Sequence, residues 1–218
     1  MMNCNDGKLD FIQDDQEFID VSSLFYKHFE TNLPFEQNPF SSAFKCFLGF
    51  DFDFSWDDDF YQGLLAFLRK QDANCLVFFG VEPSPFEYFD DFKKYNSVKI
   101  PVNVSLEDLN EIVTRAPVCD SVYSLALSSD VFALFSELES WAVLSSRYWE
   151  LSIVGFVNEK TKQKFLDCFR SKGNDVMFVS VQEAVQDLVN FWTKVSGGGD
   201  VRDKYYLLRD KYQDRNCK

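Results

Sequence analysis

The sequence is poor in the residues and motifs on which many enzyme families and metal sites depend. It has a single histidine, His28, and no two of its six cysteines form a C-x-x-C pair. It also contains no G-x-G-x-x-G, no G-x-x-x-x-G-K-[ST] and no H-E-x-x-H. These absences leave a zinc ribbon, a nucleotide-binding loop and a metalloprotease site without support, so we expect no metal and no cofactor. Because His28 lies within an apolar-periodic segment, we expect a surface or packed histidine and not a catalytic base.

Basic charge and long apolar runs are also scarce. The chain has 22 Lys and Arg against 35 Asp and Glu, which gives a net charge of −13. Such a chain repels nucleic-acid phosphates and anionic lipid, so we expect no direct nucleic-acid or membrane binding, whereas a basic protein would be attracted. No uninterrupted apolar stretch approaches the roughly 20 residues of a membrane span. Met1 to Asp10 lack the pattern of a signal peptide, and we therefore expect a cytoplasmic protein with reduced thiols.

Apolar and aromatic residues are abundant: hydrophobic residues make up 46% of the chain and phenylalanine occurs 25 times. That content is enough for a folded core. Strands and helices mix without strict βαβ alternation, which predicts an α+β fold, a mixed and largely antiparallel sheet with helices packed on it. Apolar periodicity and capping residues predict helices over residues 16–30, 57–71, 105–116, 158–173 and 181–195.

The second half of the chain predicts further strands and a separate tail. Residues 121–156 have the pattern of an antiparallel meander of four short strands, and residues 175–180 that of one more strand. The glycine run at 196–200 predicts a flexible linker. We therefore expect one globular domain over residues 1–195, followed at 196–218 by the linker and a charged C-terminal tail that could form an exposed helix.

Carboxylates and aromatic residues are unusually dense just after the strand predicted near residue 46. Part of this cluster is explained as a helix start: Asp57 can cap the helix, and acidic residues in its first turn suit the helix dipole. The remaining carboxylates need another explanation. The residues that we assign to a candidate site are Asp51, Asp53, Trp56, Asp57, Asp58 and Asp59.

One hypothesis for the cluster is catalytic. An apolar strand followed by Asp51-x-Asp53-x-Ser55 resembles the first motif of the haloacid-dehalogenase phosphatases. The resemblance implies a Mg²⁺-dependent enzyme in which Asp51 is the nucleophile and Asp53 the general acid. The family also needs a downstream lysine and a late acidic pair, and residues 90–94 do not match their order or spacing. A Mg²⁺-dependent phosphatase-like enzyme is therefore an alternative, and not our first interpretation.

The other hypothesis is docking. Acidic rims steer basic partners towards a surface, and aromatic side chains supply binding energy once they are covered. The cluster would give an acidic surface with Trp56 as an anchor, and residues 82–92 form a second group of acids and aromatics. This pattern favours a partner-binding protein without catalytic residues.

Residues 129–156 resemble a pattern found in immunity proteins of bacterial polymorphic toxin systems. Trp141-Ala142-Val143 leads through a turn at Ser145–Arg147 to an aromatic-Glu-Leu strand that ends in Gly155-Phe156. The resemblance covers this segment alone. It implies a non-enzymatic cytoplasmic inhibitor that occludes the active site of a cognate basic toxin domain, such as a nuclease, and it transfers no contact residue. A regulatory or scaffold domain that docks elsewhere, for instance through the charged tail, is a second alternative.

Overall fold

The computed structural model describes residues 9–30, 33–118, 124–170, 173–196 and 199–214, without the side chains of residues 196 and 199–202. The helices within these ranges are α1 (Asp15–His28), α2 (Asp58–Lys70), α3 (Pro85–Phe92), α4 (Leu106–Thr114), α5 (Leu125–Ser128), α6 (Glu159–Arg170), α7 (Val181–Ser196) and α8 (Gly199–Lys211). Short 3₁₀ helices cover Phe35–Gln37, Asp53–Trp56 and Asn174–Met177. The strands are β1 (Cys46–Asp51), β2 (Cys75–Glu82), β3 (Ser97–Pro101), β4 (Val131–Phe135), β5 (Trp141–Ser146) and β6 (Leu151–Phe156).

The strands form one sheet in the order β1-β6-β5-β4-β2-β3. Each described strand pair is antiparallel, and β4, β5 and β6 follow one another as the last three strands of the predicted meander. The prediction of an α+β fold with a largely antiparallel sheet is confirmed. The predicted helices near residues 16, 57, 105, 158 and 181 are also present.

Helices cover both faces of this sheet. Successive side chains of a strand point to opposite faces, so Leu48 and Phe78 lie on one face and Phe47 and Phe79 on the other. We call the face packed against α2, α4 and α6 the first face, and the face packed against α1, α7 and α8 the second face. Because both are buried, β4, β5 and β6 have no exposed residue. This explains why these strands read as continuous apolar runs.

Side-chain caps place the helix starts where the sequence predicts them. The Asp57 carboxylate accepts a hydrogen bond from the N–H of Asp59 (2.7 Å) at the start of α2. Ser105 Oγ accepts one from the N–H of Asp108 (3.0 Å) at the start of α4. Each cap satisfies a backbone donor that has no partner within the helix.

The predicted strand over residues 175–180 is wrong. Gly173 adopts a left-handed conformation with φ of 75°, and the 3₁₀ helix Asn174–Met177 follows it. Asp175 accepts a hydrogen bond from Arg170 Nε (3.1 Å), which directs the segment back towards the end of α6. The chain therefore turns here, and only Val179 joins the sheet, through an isolated bridge to Gly49.

The predicted first strand of the meander is wrong in its described part. Ser124 Oγ accepts a hydrogen bond from the N–H of Leu127 (3.3 Å) and so begins the single-turn helix α5. A capping serine thus outweighs the β propensity of the surrounding residues. The beginning of that predicted strand, at residues 121–123, lies outside the described residues.

The described part of the C-terminal tail packs onto the second face. Tyr205, Leu208 and Tyr212 are buried there, and the Tyr212 hydroxyl donates a hydrogen bond to the carbonyl of Phe35 (2.5 Å). The tail does form a helix, α8, but the expectation that this helix is exposed is wrong, because these side chains complete the apolar core. The boundary that we predict between 1–195 and 196–218 stays a prediction, since the linker glycines at 197–198 lie outside the described residues.

The outer edges of the sheet receive hydrogen bonds from irregular segments. On β1, the N–H of Phe47 donates to Asp214 Oδ1 (2.8 Å), and the N–H of Gly49 donates to the carbonyl of Val179 (2.9 Å). On β3, the carbonyl of Ser97 accepts a hydrogen bond from the N–H of Ile12 (2.9 Å). Both edge strands thus have partners beyond the sheet.

The described cysteines are in two different states. Cys46 is disulfide-bonded, whereas Cys75 and Cys168 are buried reduced thiols. The expectation of reduced thiols is therefore wrong for Cys46, because spacing along a chain does not show which cysteines meet in space. Among the described residues, no helix combines the length and apolar composition that crossing a bilayer requires.

Candidate functional site

The predicted acidic cluster begins where β1 ends. Asp51 is the last residue of β1 and Asp53 the first of the next 3₁₀ helix, and both are exposed. Asp51 Oδ1 accepts a hydrogen bond from the N–H of Asp53 (2.7 Å), which orients that carboxylate along the turn. No described basic residue forms an ion pair with either carboxylate. Both negative charges therefore remain available to a partner.

The other three aspartates begin α2. Asp57 is the N-cap, and Asp58 and Asp59 occupy the first turn, where negative charge interacts favourably with the helix dipole. Asp58 also accepts a hydrogen bond from Asn110 Nδ2 (2.8 Å), which ties α2 to α4. Asp57 and Asp58 therefore have structural roles, and their predicted role in partner binding stays a prediction.

Trp56 is partly buried and packs on the first face of the sheet. Its ring centroid lies 4.6 Å from that of Phe132 and 5.9 Å from that of Phe78. Its indole Nε1 is buried without a hydrogen-bond partner. Most of the ring thus belongs to the core, and only its exposed edge is open to a partner.

A groove of about 480 Å³ opens beside Asp51, and we call it the β1 groove. The end of β1, the turn before β6, the segment around Met177 and α7 form its walls. Three exposed carboxylates line it: Asp51, Glu150 and Asp187. The structure thus brings one predicted site residue together with two acids that are distant in sequence.

Apolar side chains stand exposed in the same groove. Val176 is 74% exposed, Phe191 55% and Met177 40%. Large apolar side chains that share a concave, charged surface are typical of an interaction site, because a partner that covers them gains the free energy of burial. The β1 groove therefore has both the charge and the apolar area of a docking surface.

Close packing between α7 and β1 positions the groove. A Cβ added at Gly49 would lie 2.8 Å from Ala184 Cβ, so only glycine lets α7 approach this closely. Glu150 lies in a turn with φ of 49°, and its carboxylate accepts a hydrogen bond from Trp192 Nε1 (3.0 Å). The β5–β6 turn is thereby tied to α7 beside the end of β1.

The charge of the groove is negative throughout its described lining. No lysine or arginine occurs among the described residues that line it. Arg147 lies close in sequence, but its guanidinium stacks 5.0 Å from the ring centroid of Phe52 and pairs with Asp130 (3.3 Å). The groove therefore attracts a cation or a basic protein surface.

The groove carboxylates do not form a metal cluster. Across the part of the chain that the structure describes, no three His, Cys, Asp or Glu side chains are placed to hold a metal ion together. Asp51, Glu150 and Asp187 are thus spread along the groove wall and present separate negative charges.

His28 is packed in the core. The sequence predicts either a surface or a packed histidine, and the structure shows the packed one. It is fully buried, its Nδ1 lies 2.9 Å from the carbonyl of Leu24, and burial lowers its pKa below the ordinary value of 6.5. The hydrogen bond to Leu24 opposes this shift only in part. A histidine held this way supports the helix α1 and has no access to a substrate.

Sequence reasoning missed most of the groove. It singled out Asp51 but not Glu150, Asp187, Val176 or Met177. The helical spacing of Phe191 with Ala184, Val185, Leu188 and Trp192 predicts one apolar face for the helix at 181–195, yet Phe191 is largely exposed. An apolar stripe wider than the surface available for packing is the one signal that could have pointed to it.

Comparison of the chain with protein-family models, with curated proteins and with solved structures gives no match.

Proposed function

We propose that this chain is a non-enzymatic acidic binding protein, an immunity-type inhibitor that occludes the active site of a cognate basic toxin domain. The observation that carries the proposal is the β1 groove, where exposed apolar side chains and carboxylates without ion pairs share one concave surface. The net charge of −13 favours the same class of partner.

In the proposed mechanism, the carboxylates and the apolar residues have different tasks. Asp51, Asp53 and Asp187 draw in a basic surface and occupy the positions where a toxin such as a nuclease would hold phosphate. Met177 and Phe191 are then covered, which slows dissociation because their apolar surface leaves water. No cofactor and no metal take part.

Residues 129–156, which resemble toxin immunity proteins, contribute one turn to the β1 groove, and this is how the resemblance supports the proposal. These residues form β4, β5 and β6, and the β5–β6 turn supplies Glu150 to the groove wall. The strand residues of the segment are buried in the sheet. The resemblance therefore concerns the strands that support the groove, whereas the groove itself indicates the class of partner.

We propose the cytoplasm as the location, and the disulfide at Cys46 is the observation that argues against it. Disulfides persist mainly in oxidising compartments. Labelling thiols in rapidly acid-quenched cells and comparing Cys46 with Cys75 decides the matter. Labelling of both places the chain in a reducing compartment, whereas protection of Cys46 alone contradicts a cytoplasmic location.

The binding proposal is tested by titrating the chain with the product of the adjacent upstream gene. Isothermal titration calorimetry should show a tight complex whose affinity falls with ionic strength. The triple variant Asp51→Asn, Asp53→Asn, Asp187→Asn should weaken it by roughly threefold to 150-fold, because each exposed charge pair contributes about 0.2–1 kcal/mol. Phe191→Ser should accelerate dissociation.

Matched controls separate the groove from general surface effects. Glu107→Gln removes an exposed carboxylate on α4, and Leu127→Ser removes an apolar side chain that is 70% exposed on α5. Both should bind as the wild type does. Equal affinities for the groove variants and the controls would place the interface elsewhere and favour the scaffold alternative.

The catalytic alternative has a separate test. Hydrolysis of p-nitrophenyl phosphate is measured with and without Mg²⁺ for the wild type and for Asp51→Asn. We expect no hydrolysis above background. A Mg²⁺-dependent rate that Asp51→Asn abolishes would favour the phosphatase-like enzyme over the inhibitor.

A further inference from the structure

A second concave site opens on the second face of the sheet, away from the β1 groove. It has a volume of about 490 Å³ and lies between α1, residues 33–39 and the start of α3. Its floor consists of Phe79, Val131 and Leu144 from β2, β4 and β5. We call it the α1 cleft. Its volume lies in the range of sites that bind small organic molecules.

The walls of the α1 cleft are aromatic and its charges are negative. Phe18 and Phe25 of α1 face it, and Phe86 closes one side while remaining 65% exposed. Glu30 and Glu82 also line it, both are exposed, and neither pairs with a described basic residue. Aromatic rings combined with carboxylates favour an organic cation, because ring faces and carboxylates both attract positive charge.

A buried hydroxyl in the cleft lacks a partner. Ser22 is 8% exposed and lines the cleft, and its Oγ is buried without a hydrogen bond. The adjacent Ser23 Oγ, in contrast, donates to the carbonyl of Ile19 (2.8 Å). Buried polar groups are nearly always hydrogen-bonded. A ligand with a polar atom beside Ser22 would supply the missing partner.

We propose that the α1 cleft binds a small aromatic amine that carries a hydrogen-bonding group. Its ring packs against the wall that the stacked rings of Phe18, Phe25 and Phe79 form. Its ammonium group lies near Glu30 and Glu82, and its polar group bonds to Ser22 Oγ. Ser22 lies within α1 and Glu30 just beyond the end of that helix, so the two kinds of contact fall at different places along the ligand. This site does not depend on the function proposed for the β1 groove.

Three probes of similar size test the proposal on the full chain by ligand-observed NMR titration. Tyramine has both a hydroxyl and an ammonium group, phenethylamine lacks the hydroxyl, and 3-(4-hydroxyphenyl)propionate replaces the ammonium group with a carboxylate. We expect tyramine to bind about fivefold more tightly than phenethylamine, in line with one hydrogen bond. The carboxylate should not bind detectably.

Two variants assign the contacts. Ser22→Ala should make the affinities of tyramine and phenethylamine equal, whereas Ser23→Ala should leave their ratio unchanged. Glu30→Gln with Glu82→Gln should weaken both amines about tenfold, whereas Glu107→Gln should not. Failure of tyramine to bind at millimolar concentration, or equal binding by the wild type and the two cleft variants, would overturn the proposal.

Discussion

The two faces of the sheet are built from the same kinds of side chains and both are covered by helices, yet the second face is covered less completely. On the first face, α2, α4 and α6 cover the strands, and Phe78, Phe132 and Leu134 are fully buried. On the second face, α1 and the segment after it leave the α1 cleft open above Phe79 and Leu144. The difference shows that coverage by helices, and not strand composition, decides where this protein has room for a ligand.

Both faces of the sheet bury titratable side chains, and the one histidine lies on the second face. On the first face, burial raises the pKa of Tyr61 well above its ordinary range. On the second face, burial lowers the pKa of His28. Burial also raises the pKa of Tyr212 on the second face, so the group that distinguishes this face is its histidine.

The largest effect should come from removing a matched leucine on each face. Leu134→Ala should lower the free energy of unfolding by about 4 kcal/mol, because the cavity it leaves is enclosed by the packed first face. Leu144→Ala should cost about 2 kcal/mol, since Leu144 already borders the open cleft. Urea denaturation measures both values. Equal costs would show that the cleft is closed in solution.

Acid should destabilise the protein through the second face. His28 has a lowered pKa in the folded state, so the unfolded chain binds a proton more readily below pH 6.5. The contribution of His28 to the free energy of unfolding is therefore fully present above pH 6.5. Below pH 6.5 it decreases by up to about 1.4 kcal/mol per pH unit. Melting temperatures between pH 7.5 and 5.5 measure this loss.

The control for this acid effect replaces the histidine. His28→Gln should remove the pH dependence between 7.5 and 5.5, whatever it does to the stability itself, because the chain has no other histidine. If the melting temperature of His28→Gln still falls between pH 7.5 and 5.5, the acid sensitivity belongs to carboxylates on either face.

The loss of stability on removing a helix cap should be the same on both faces. Asp57 caps α2 on the first face, and Asp14 caps α1 on the second by accepting a hydrogen bond from the N–H of Glu17 (2.8 Å). Asp57→Ala and Asp14→Ala should each cost about 1 kcal/mol in chemical denaturation, because a cap acts locally. A much larger cost for Asp14→Ala would mean that α1 is the weaker of the two helices and that the cleft opens with it.

The smallest effect is expected for the carboxylates at the end of β1. Asp51→Asn and Asp53→Asn should each change the free energy of unfolding by less than about 0.5 kcal/mol, because both side chains are exposed. Thermal melts of the two variants check this. A substantial loss of stability would give these residues a structural role and weaken their assignment to partner binding.

Local signals made much of the fold predictable. The capping residues Asp57 and Ser105 and the apolar run at β1 act through neighbours in sequence, so their elements were found. Interactions between segments that are distant in sequence leave no such local signal and were not predicted. Asp187 and Glu150 meet Asp51 only because α7 and the β5–β6 turn pack at one end of β1, and no periodicity encodes that meeting.

Errors in the tail and around Val179 have the same origin. Aromatic residues at Tyr205 and Tyr212 gave no periodic signal, and their burial depends on the open area of the second face. The segment before Val179 is rich in apolar residues, but the left-handed Gly173 directs it into a turn. In both places the surface available elsewhere in the molecule decides the conformation.

The hydrogen bonds along the outer edge of β1 determine how a partner can be recognised. An exposed edge strand invites a foreign strand to extend the sheet, and many peptide-binding domains work by this strand addition. Here Asp214 and Val179 already occupy the outward N–H groups of Phe47 and Gly49. Backbone pairing would have to displace both, so recognition at this end of the molecule falls to side chains, and a partner is selected by its own side-chain chemistry and not by its capacity to form a strand.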